Sequence, residues 1–427
     1  MTRIVIAGAG AGGIELATFL GKKFGKDKSN EIILINERST HIWKPHLHEV
    51  AAGTLDTHFD TMNIPLLGKH QHFTFVQGTF TSVNRSKKEI ILAPIYSKDT
   101  NELLVDTRTI SYDVLVIAVG VVNNDFNTPG VNEYAYKLEN VETALKVKQR
   151  IANEFLKLSL NKNNKGIDIA IVGAGPTGVE LAAELKAAAD DLCESGMPNI
   201  TKDSLRINLL DAGPRILGPV REKLAEIVAK QLTDLNVTIK PQTFITEITE
   251  TGIKTKSDEF IPSDLTIWAA GIKGAEFLKH LDGLETNRLN QLVVRKTLQT
   301  TEDDFIFAIG DCCACPMNEE GKLVPARAQA ASQMAKLCTS NIEKLLKGQK
   351  LQDYVYHDHG TMISMSKFSS AGDAKYIGIV KGKKARPLYL SIYKMHQREI
   401  FGLCTTICIM IAKKFSRYKH SSVKLPK

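Results

Sequence analysis

An α/β fold of two doubly wound parallel-sheet units, one inserted in the other and followed by a C-terminal region of different character, is predicted by three observations in the 427 residues. A glycine fingerprint occurs twice, as Gly8-Ala-Gly10-Ala-Gly-Gly13 and as Gly173-Ala-Gly175-Pro-Thr-Gly178. Each copy follows an apolar run of strand character, Arg3-Ile-Val-Ile-Ala or Asp168-Ile-Ala-Ile-Val, and precedes an amphipathic helical run that starts at Ile14 or Val179. Two more apolar runs, Tyr112 to Gly120 and Asp264 to Gly271, end in glycine where the chain would leave the first unit and return to it.

In a Rossmann-like unit the first glycine permits the tight strand-to-helix turn, the second lets backbone approach a pyrophosphate, and the third lets helix and strand pack closely. Gly8, Gly10 and Gly13 therefore read as one dinucleotide site and Gly173, Gly175 and Gly178 as a second, each with its anion at a helix N-terminus. The run Glu31-Ile-Ile-Leu-Ile is the second strand of the first unit, and a carboxylate ordinarily accepts hydrogen bonds from a ribose at its end. Asn36 stands there with Glu37 next, and either residue can make that contact. In the second unit Ile207-Asn-Leu-Leu ends in Asp211 with no basic residue at the next three positions, which favours NAD over NADP, although Arg215 lies close by. Phe305-Ile-Phe-Ala-Ile is a third strand ending in Gly310-Asp311, where an Asp accepts hydrogen bonds from a polyol or caps a following helix. The expected domains are 1–120 with 272–338, then the inserted 121–271, then 339–427.

With 43% hydrophobic and 24% charged residues the chain is an ordinary globular one, so disorder is not expected over any long stretch. A net charge of +8 suits either nucleic acid or anionic lipid, and much of the excess lies at the C-terminus beside an apolar run, so an anionic lipid surface is the expected partner and nucleic acid is not. The 13 uncharged residues between Glu399 and Lys413 are too short for a bilayer span of about 20. Flanked by Lys394, Arg398, Lys413, Lys414, Arg417 and Lys419, with Lys424-Leu-Pro-Lys427 at the end, they suit a helix lying in the headgroup layer, anchored by Tyr389, Tyr393 and the Arg386 stem. The first strand begins by Arg3, which leaves no room for a signal or transit peptide and implies a cytosolic chain. Asn161-Lys-Asn-Asn-Lys-Gly reads as a surface turn. Seven cysteines, Cys312 and Cys313 adjacent, read as reduced thiols. Cys312-x-x-Cys315 has no second pair or histidine cluster beside it, so these are packing residues and no metal is expected.

With these pieces in place the chain resembles the type II NADH:quinone oxidoreductases, single-subunit flavoenzymes of respiratory membranes, and especially those of gamma-proteobacterial type. The likeness runs nearly end to end. It is carried by Trp43-Lys-Pro-His-Leu-His-Glu-Val-Ala, Asn124-Asp-Phe-Asn-Thr-Pro-Gly, Trp268-Ala-Ala-Gly-Ile-Lys, Ala308-Ile-Gly-Asp311, Ala328-Gln-Ala-Ala-Ser-Gln333 and Leu390-Ser-Ile-Tyr-Lys-Met-His396. The resemblance implies FAD on the first fingerprint with Asn36 or Glu37, Lys44, Asp311, Ala328 and Gln329. It implies NADH on the second with Glu180, Asp211, Ala270 and Gly271, and a quinone beside the Ala328–Gln333 helix. Glu180 is placed at the junction of the two rings, and Gln329 and Gln333, four apart on one helical face, line the quinone side. Asn36 departs from the family's usual acid, and Ser332 stands where close relatives carry His.

The function implied is oxidation of NADH by hydride transfer to FAD, then delivery of two electrons to a membrane quinone. The enzyme would sit peripherally on the cytoplasmic face of the inner membrane, would pump no protons because it has no span, and is compatible with a homodimer formed through the C-terminal region. A flavin-bearing NADH sensor of apoptosis-factor type and a soluble ferredoxin or rubredoxin reductase are the competing classes, and neither needs a cationic, apolar C-terminus. Disulfide exchange is excluded, since it needs a cysteine pair soon after the first unit begins and the first cysteine is Cys193.

Overall fold

A computed structural model of the chain describes residues 1–55, 57–161 and 166–416. The chain enters through β1 (Thr2–Ala7), whose Ile4, Val5 and Ile6 are fully buried, as expected of a strand covered on both faces. The first glycine loop leads into α1 (Ala11–Phe24), then come β2 (Asn30–Asn36), the short α2 (Leu47–Ala52), β3 (Thr74–Gln77) and β4 (Val114–Ile117). Next, β5 (Val122–Asn123) carries the chain out of this unit.

The inserted unit is β6 (Ala135–Lys137), α3 (Val141–Leu160), β7 (Ile167–Val172), α4 (Pro176–Glu194), β8 (Leu205–Leu210), β9 (Val237–Lys240) and β10 (Leu265–Trp268). The chain returns through β11 (Ile272–Lys273), which pairs antiparallel with β5, Val122 against Lys273 and Asn123 against Ile272. Then β12 (Ile306–Ala308) completes the first sheet, in the order β12-β4-β1-β2-β3, with every pairing parallel. The second sheet is β6-β10-β7-β8-β9, also wholly parallel. In both sheets the glycine loop leaves the central strand, where flanking strands open a crevice at the carboxyl edge.

After α5 (Ala328–Leu346), which packs on α1, the C-terminal region forms an antiparallel sheet, β13 (Gly360–Met365), β14 (Ser369–Ala374) and β15 (Gly378–Gly382), then α6 (Arg386–Phe401) and α7 (Leu403–Ser416). No helix among the described residues is long and apolar enough to cross a membrane.

Three local expectations need correction. The dinucleotide helices start at Ala11 and Pro176, three residues before Ile14 and Val179, because Gly10 and Gly175 are themselves the N-caps and Pro176 fits the first helical position. The uncharged 400–412 run is not one helix. Gly402, at φ 81° and ψ 170°, ends α6 in a conformation open almost only to glycine, and α7 is a separate element. Finally, Tyr389, Tyr393 and Arg386 do not anchor an interface. Tyr393 is 5% exposed and stacks on Trp43, ring centroids 5.1 Å apart, while Tyr389 and Arg386 turn inward toward the carboxylates of α4. Aromatic and long basic side chains at helical spacing look alike whether they face lipid or core. The turn assigned to 161–166 lies mostly outside the described residues, as do Arg417, Lys419 and the Lys424–Lys427 tail. Lys413 and Lys414 are within α7, but their side chains also fall outside the described residues.

Candidate functional site

The two glycine loops are built alike. Gly8 takes φ +109° and Gly173 φ +104°, and a Cβ on either would strike neighbouring backbone, the Ala118 oxygen at 2.5 Å in the first case and Ala270 Cα at 2.7 Å in the second. A Cβ on Gly13 would collide with the carbonyl oxygen of Gly8, and one on Gly178 with that of Gly173. The middle glycines are open instead: Gly10 would meet nothing nearer than 3.9 Å, and Gly175 nothing within 4 Å. Two positions of each loop are thus closed by protein and the third faces outward from a helix N-terminus, which is the shape a pyrophosphate needs.

Asn36 and Asp211 hold these loops from corresponding positions at the ends of β2 and β8. Asn36 Oδ1 accepts from the Ala9 N–H at 3.0 Å, and Asp211 Oδ2 from the Ala174 N–H at 2.6 Å. Asp211 Oδ1 also accepts from the Gly213 N–H at 2.7 Å, which leaves lone pairs on both oxygens for a ribose. Glu37 points outward beside Arg38. Arg215 donates to the carbonyls of Ile216, Leu217, Gly218 and Val220, so its guanidinium is consumed within its own loop.

Lys44 and Asp311 feel one another's charge within the first unit. Lys44 Nζ donates to the Val121 carbonyl at 2.9 Å, and enclosure lowers its pKa against the pull of Asp311 and Glu139. Burial pushes the Asp311 carboxyl up, and Lys44 pulls it back. Asp311 caps no helix: it lies inside a single 3-10 turn, Gly310–Cys312, that has no side-chain cap. Gly271, at φ +63°, packs on the Phe126 ring, and Ala270 backs Gly173.

Glu180 lies on the second turn of α4 and is only 7% exposed. Its Oε1 accepts from the Ser364 N–H at 2.8 Å, and its Oε2 is 3.5 Å from His48 Nδ1. Burial, helped by the charges of Glu49 and Glu184, pushes its pKa well above the ordinary range. Glu184, one turn further on and absent from the sequence reading, accepts from Thr54 Oγ1 at 2.8 Å and Ser366 Oγ at 2.7 Å, and burial raises it to about 7. The available signal was two glutamates at i,i+4 among the leucines and alanines of Val179–Ala183 and Leu185, together with the separate His46-x-His48-Glu49 pattern.

A second buried network joins α1, α5 and α6. Glu15, 1% exposed, takes a 2.6 Å hydrogen bond from His396 Nδ1 and a 2.5 Å one from Ser332 Oγ. Ser332 is therefore a partner of Glu15. His41 hydrogen-bonds the Ala9 carbonyl at 2.7 Å, and burial together with the nearby His396 charge pushes its pKa down to about 3.

Ala328 opens α5 with Gln329 beside it. Gln329 Oε1 accepts from Tyr356 Oη at 2.8 Å and from the His359 N–H at 3.4 Å. Gln333 Nε2 donates to the His357 carbonyl at 2.8 Å, and its Oε1 accepts from the His357 N–H at 3.0 Å. Both glutamines thereby strap the 356–359 segment to α5. Cys312, Cys313 and Cys315 are buried free thiols, and burial raises Cys312 to about 11 and Cys315 to about 12, which keeps both protonated and unreactive.

Residues 2–335 match the family model of the pyridine nucleotide-disulphide oxidoreductases. The chain is 42% identical to the type II NADH:quinone oxidoreductase of Haemophilus influenzae, with both chains covered completely. It is 30% identical to that of Staphylococcus haemolyticus over 90% of this chain and 92% of the relative. Among solved structures it is similar to NDH2 from Plasmodium falciparum in complex with NADH, at a TM-score of 0.83 and 20% identity over 99% of this chain and 100% of that one. The sulfide:quinone oxidoreductase of Aquifex aeolicus shares the fold at a TM-score of 0.74 and 16% identity, covering 100% and 98%.

Proposed function

The chain belongs to the pyridine nucleotide-disulphide oxidoreductases and, within them, to the type II NADH:quinone oxidoreductases, and on that premise we propose that it uses FAD to oxidise NADH and reduce a membrane quinone, acting from the cytoplasmic face of the membrane and moving no ions across it. The observation that carries this reading is the pair of glycine cradles of one geometry at the heads of two parallel sheets in one chain. Bound in the first cradle, FAD supplies a ring that accepts a hydride from NADH and passes two electrons to the quinone.

The protein's share is placement. The Gly8–Gly13 loop and the N-terminus of α1 hold the FAD pyrophosphate, Asn36 keeps that loop in shape, and Asp311 and Lys44 offer an acceptor and a donor to the remainder of the group. The Gly173–Gly178 loop and Asp211 hold NADH, and the occupied guanidinium of Arg215 favours it over NADPH, because that guanidinium is not left for a 2′-phosphate. Glu180, whose carboxyl burial pushes well above the ordinary range, offers a hydrogen-bonding group at the nicotinamide side. On the quinone side Gln329 has its Oε1 committed and its Nε2 left to donate to a quinone carbonyl, while Gln333 holds the wall. Lipid attachment falls to α7, whose Leu403, Ile407, Met410 and Ile411 are 62%, 46%, 47% and 54% exposed.

The test is the purified chain in sealed lipid vesicles. Its flavin spectrum, NADH-dependent quinone reduction and internal acidification are read together. Yellow protein that reduces quinone without acidification is expected; colourless protein that refuses FAD, or acidification in proportion to turnover, would sink the reading.

A further inference from the structure

We propose that His48, Glu49 and Glu184 form a binding site for a divalent cation of the Zn²⁺ class, where α2 of the first unit meets α4 of the inserted one. One ligand atom from each residue lies within 4.8 Å of the others. His48 is 1% exposed and Glu184 4%, so two of the three donors are withdrawn from water. This revises the sequence expectation of no metal, which weighed only the cysteines.

The histidine is the observation that turns an acidic cluster into a cation site. His48 Nε2 is buried and has no hydrogen-bond partner, and it points into the cluster, 3.9 Å from Glu49 Oε1. His48 Nδ1 faces Glu180 Oε2 at 3.5 Å, so the opposite ring nitrogen, Nε2, is the one turned to Glu49. His48 Nε2 thus converges with a carboxylate oxygen of Glu49 and one of Glu184.

The surroundings match what metal sites require of their outer contacts. A metal-bound histidine normally donates its other N–H to a backbone carbonyl or carboxylate, and ligating carboxylates are themselves hydrogen-bonded. Here Glu180 Oε2 stands 3.5 Å from His48 Nδ1, while Thr54 and Ser366 fix Glu184 Oε2 at 2.8 and 2.7 Å. One nitrogen with two oxygens suits Zn²⁺ better than Ca²⁺ or Mg²⁺, which prefer oxygen alone. Ligand atoms about 2.1 Å from a tetrahedral Zn²⁺ stand about 3.4 Å apart, so the three atoms, now within 4.8 Å of one another, draw together on binding.

The site is read without NADH or quinone, so its failure is separate from failure of the proposed activity. Flavin-loaded protein, stripped with EDTA, is titrated with Zn²⁺ by calorimetry, and bound metal is counted after gel filtration. The exposed Cys404 and Cys408 of α7 are replaced by serine throughout so that thiols do not contribute. One equivalent is expected, weakened at least tenfold in Glu184→Gln and in His48→Gln. Should a buried variant lose its flavin, the partly exposed Glu49→Gln serves instead with the same expected loss. No stoichiometric binding, or binding of equal strength in folded variants, overturns the proposal.

Discussion

Replacing Glu15 by Ala should release α6 from the body of the protein. The carboxylate is 1% exposed, and its two oxygens hold His396 of α6 and Ser332 of α5 at 2.6 and 2.5 Å. Breaking a buried, hydrogen-bonded pair from one side costs about 3–5 kcal/mol, because the surviving partner stays buried and unsatisfied. At roughly 2–4 °C per kcal/mol for a domain of this size, the melting temperature should fall by about 10 °C. The second half of the argument is non-additivity. His396→Ala in the Glu15→Ala background removes the stranded partner, so the double variant should be less destabilised than the sum of the singles by about 1–3 kcal/mol. Urea unfolding followed by flavin fluorescence gives the energies, and hydrogen exchange of amides 386–401 locates the effect. Additive losses, or unchanged exchange in α6 of the Glu15→Ala protein, would refute the reasoning.

Gly13→Ala places a methyl against the Gly8 carbonyl and should yield protein without flavin, whereas Gly178→Ala, with the matching clash at Gly173, should stay yellow and lose NADH affinity; absorbance at the flavin band and an NADH titration separate the two. His41 is neutral in the fold, with its pKa held near 3, but takes a proton in the unfolded chain below about 6.5. The unfolded state binds more protons between those values, so stability falls as pH drops through that window, by about 2 kcal/mol from this residue at pH 5. His41→Gln should lose correspondingly less between pH 7 and pH 5, and equal losses in urea titrations would contradict the assignment. A chain ending at Gly402 should keep its flavin and leave vesicles on flotation, whereas one ending at Pro387 should be unstable, since it lacks the buried Tyr393, His396 and Ile400.

What the sequence made legible is what local sterics force. Gly8, Gly13, Gly173 and Gly178 are each closed in by backbone, so the residue type itself announces the loop, and the apolar strands before them admit only a buried parallel sheet. The ends of β2 and β8 were also readable as positions, although the bond each makes to its own loop was not. The networks were hidden for a physical reason. Glu15 and His396 are 381 residues apart, and Glu184 meets Ser366 across 182, so nothing in local pattern pairs them. Tyr389 and Tyr393 were misassigned because an amphipathic side chain carries no mark of which apolar medium surrounds it. Asp311 was left between two roles until the turn around it proved to contain it.

The ribbon of β5 and β11 has an implication for ancestry. Entry to and exit from the inserted unit lie side by side, paired over just two residues on each strand. A segment whose two ends meet at one doorway can be spliced out or replaced without re-threading the host, so such a chain is open to exchange of its reductant-binding cassette by recombination.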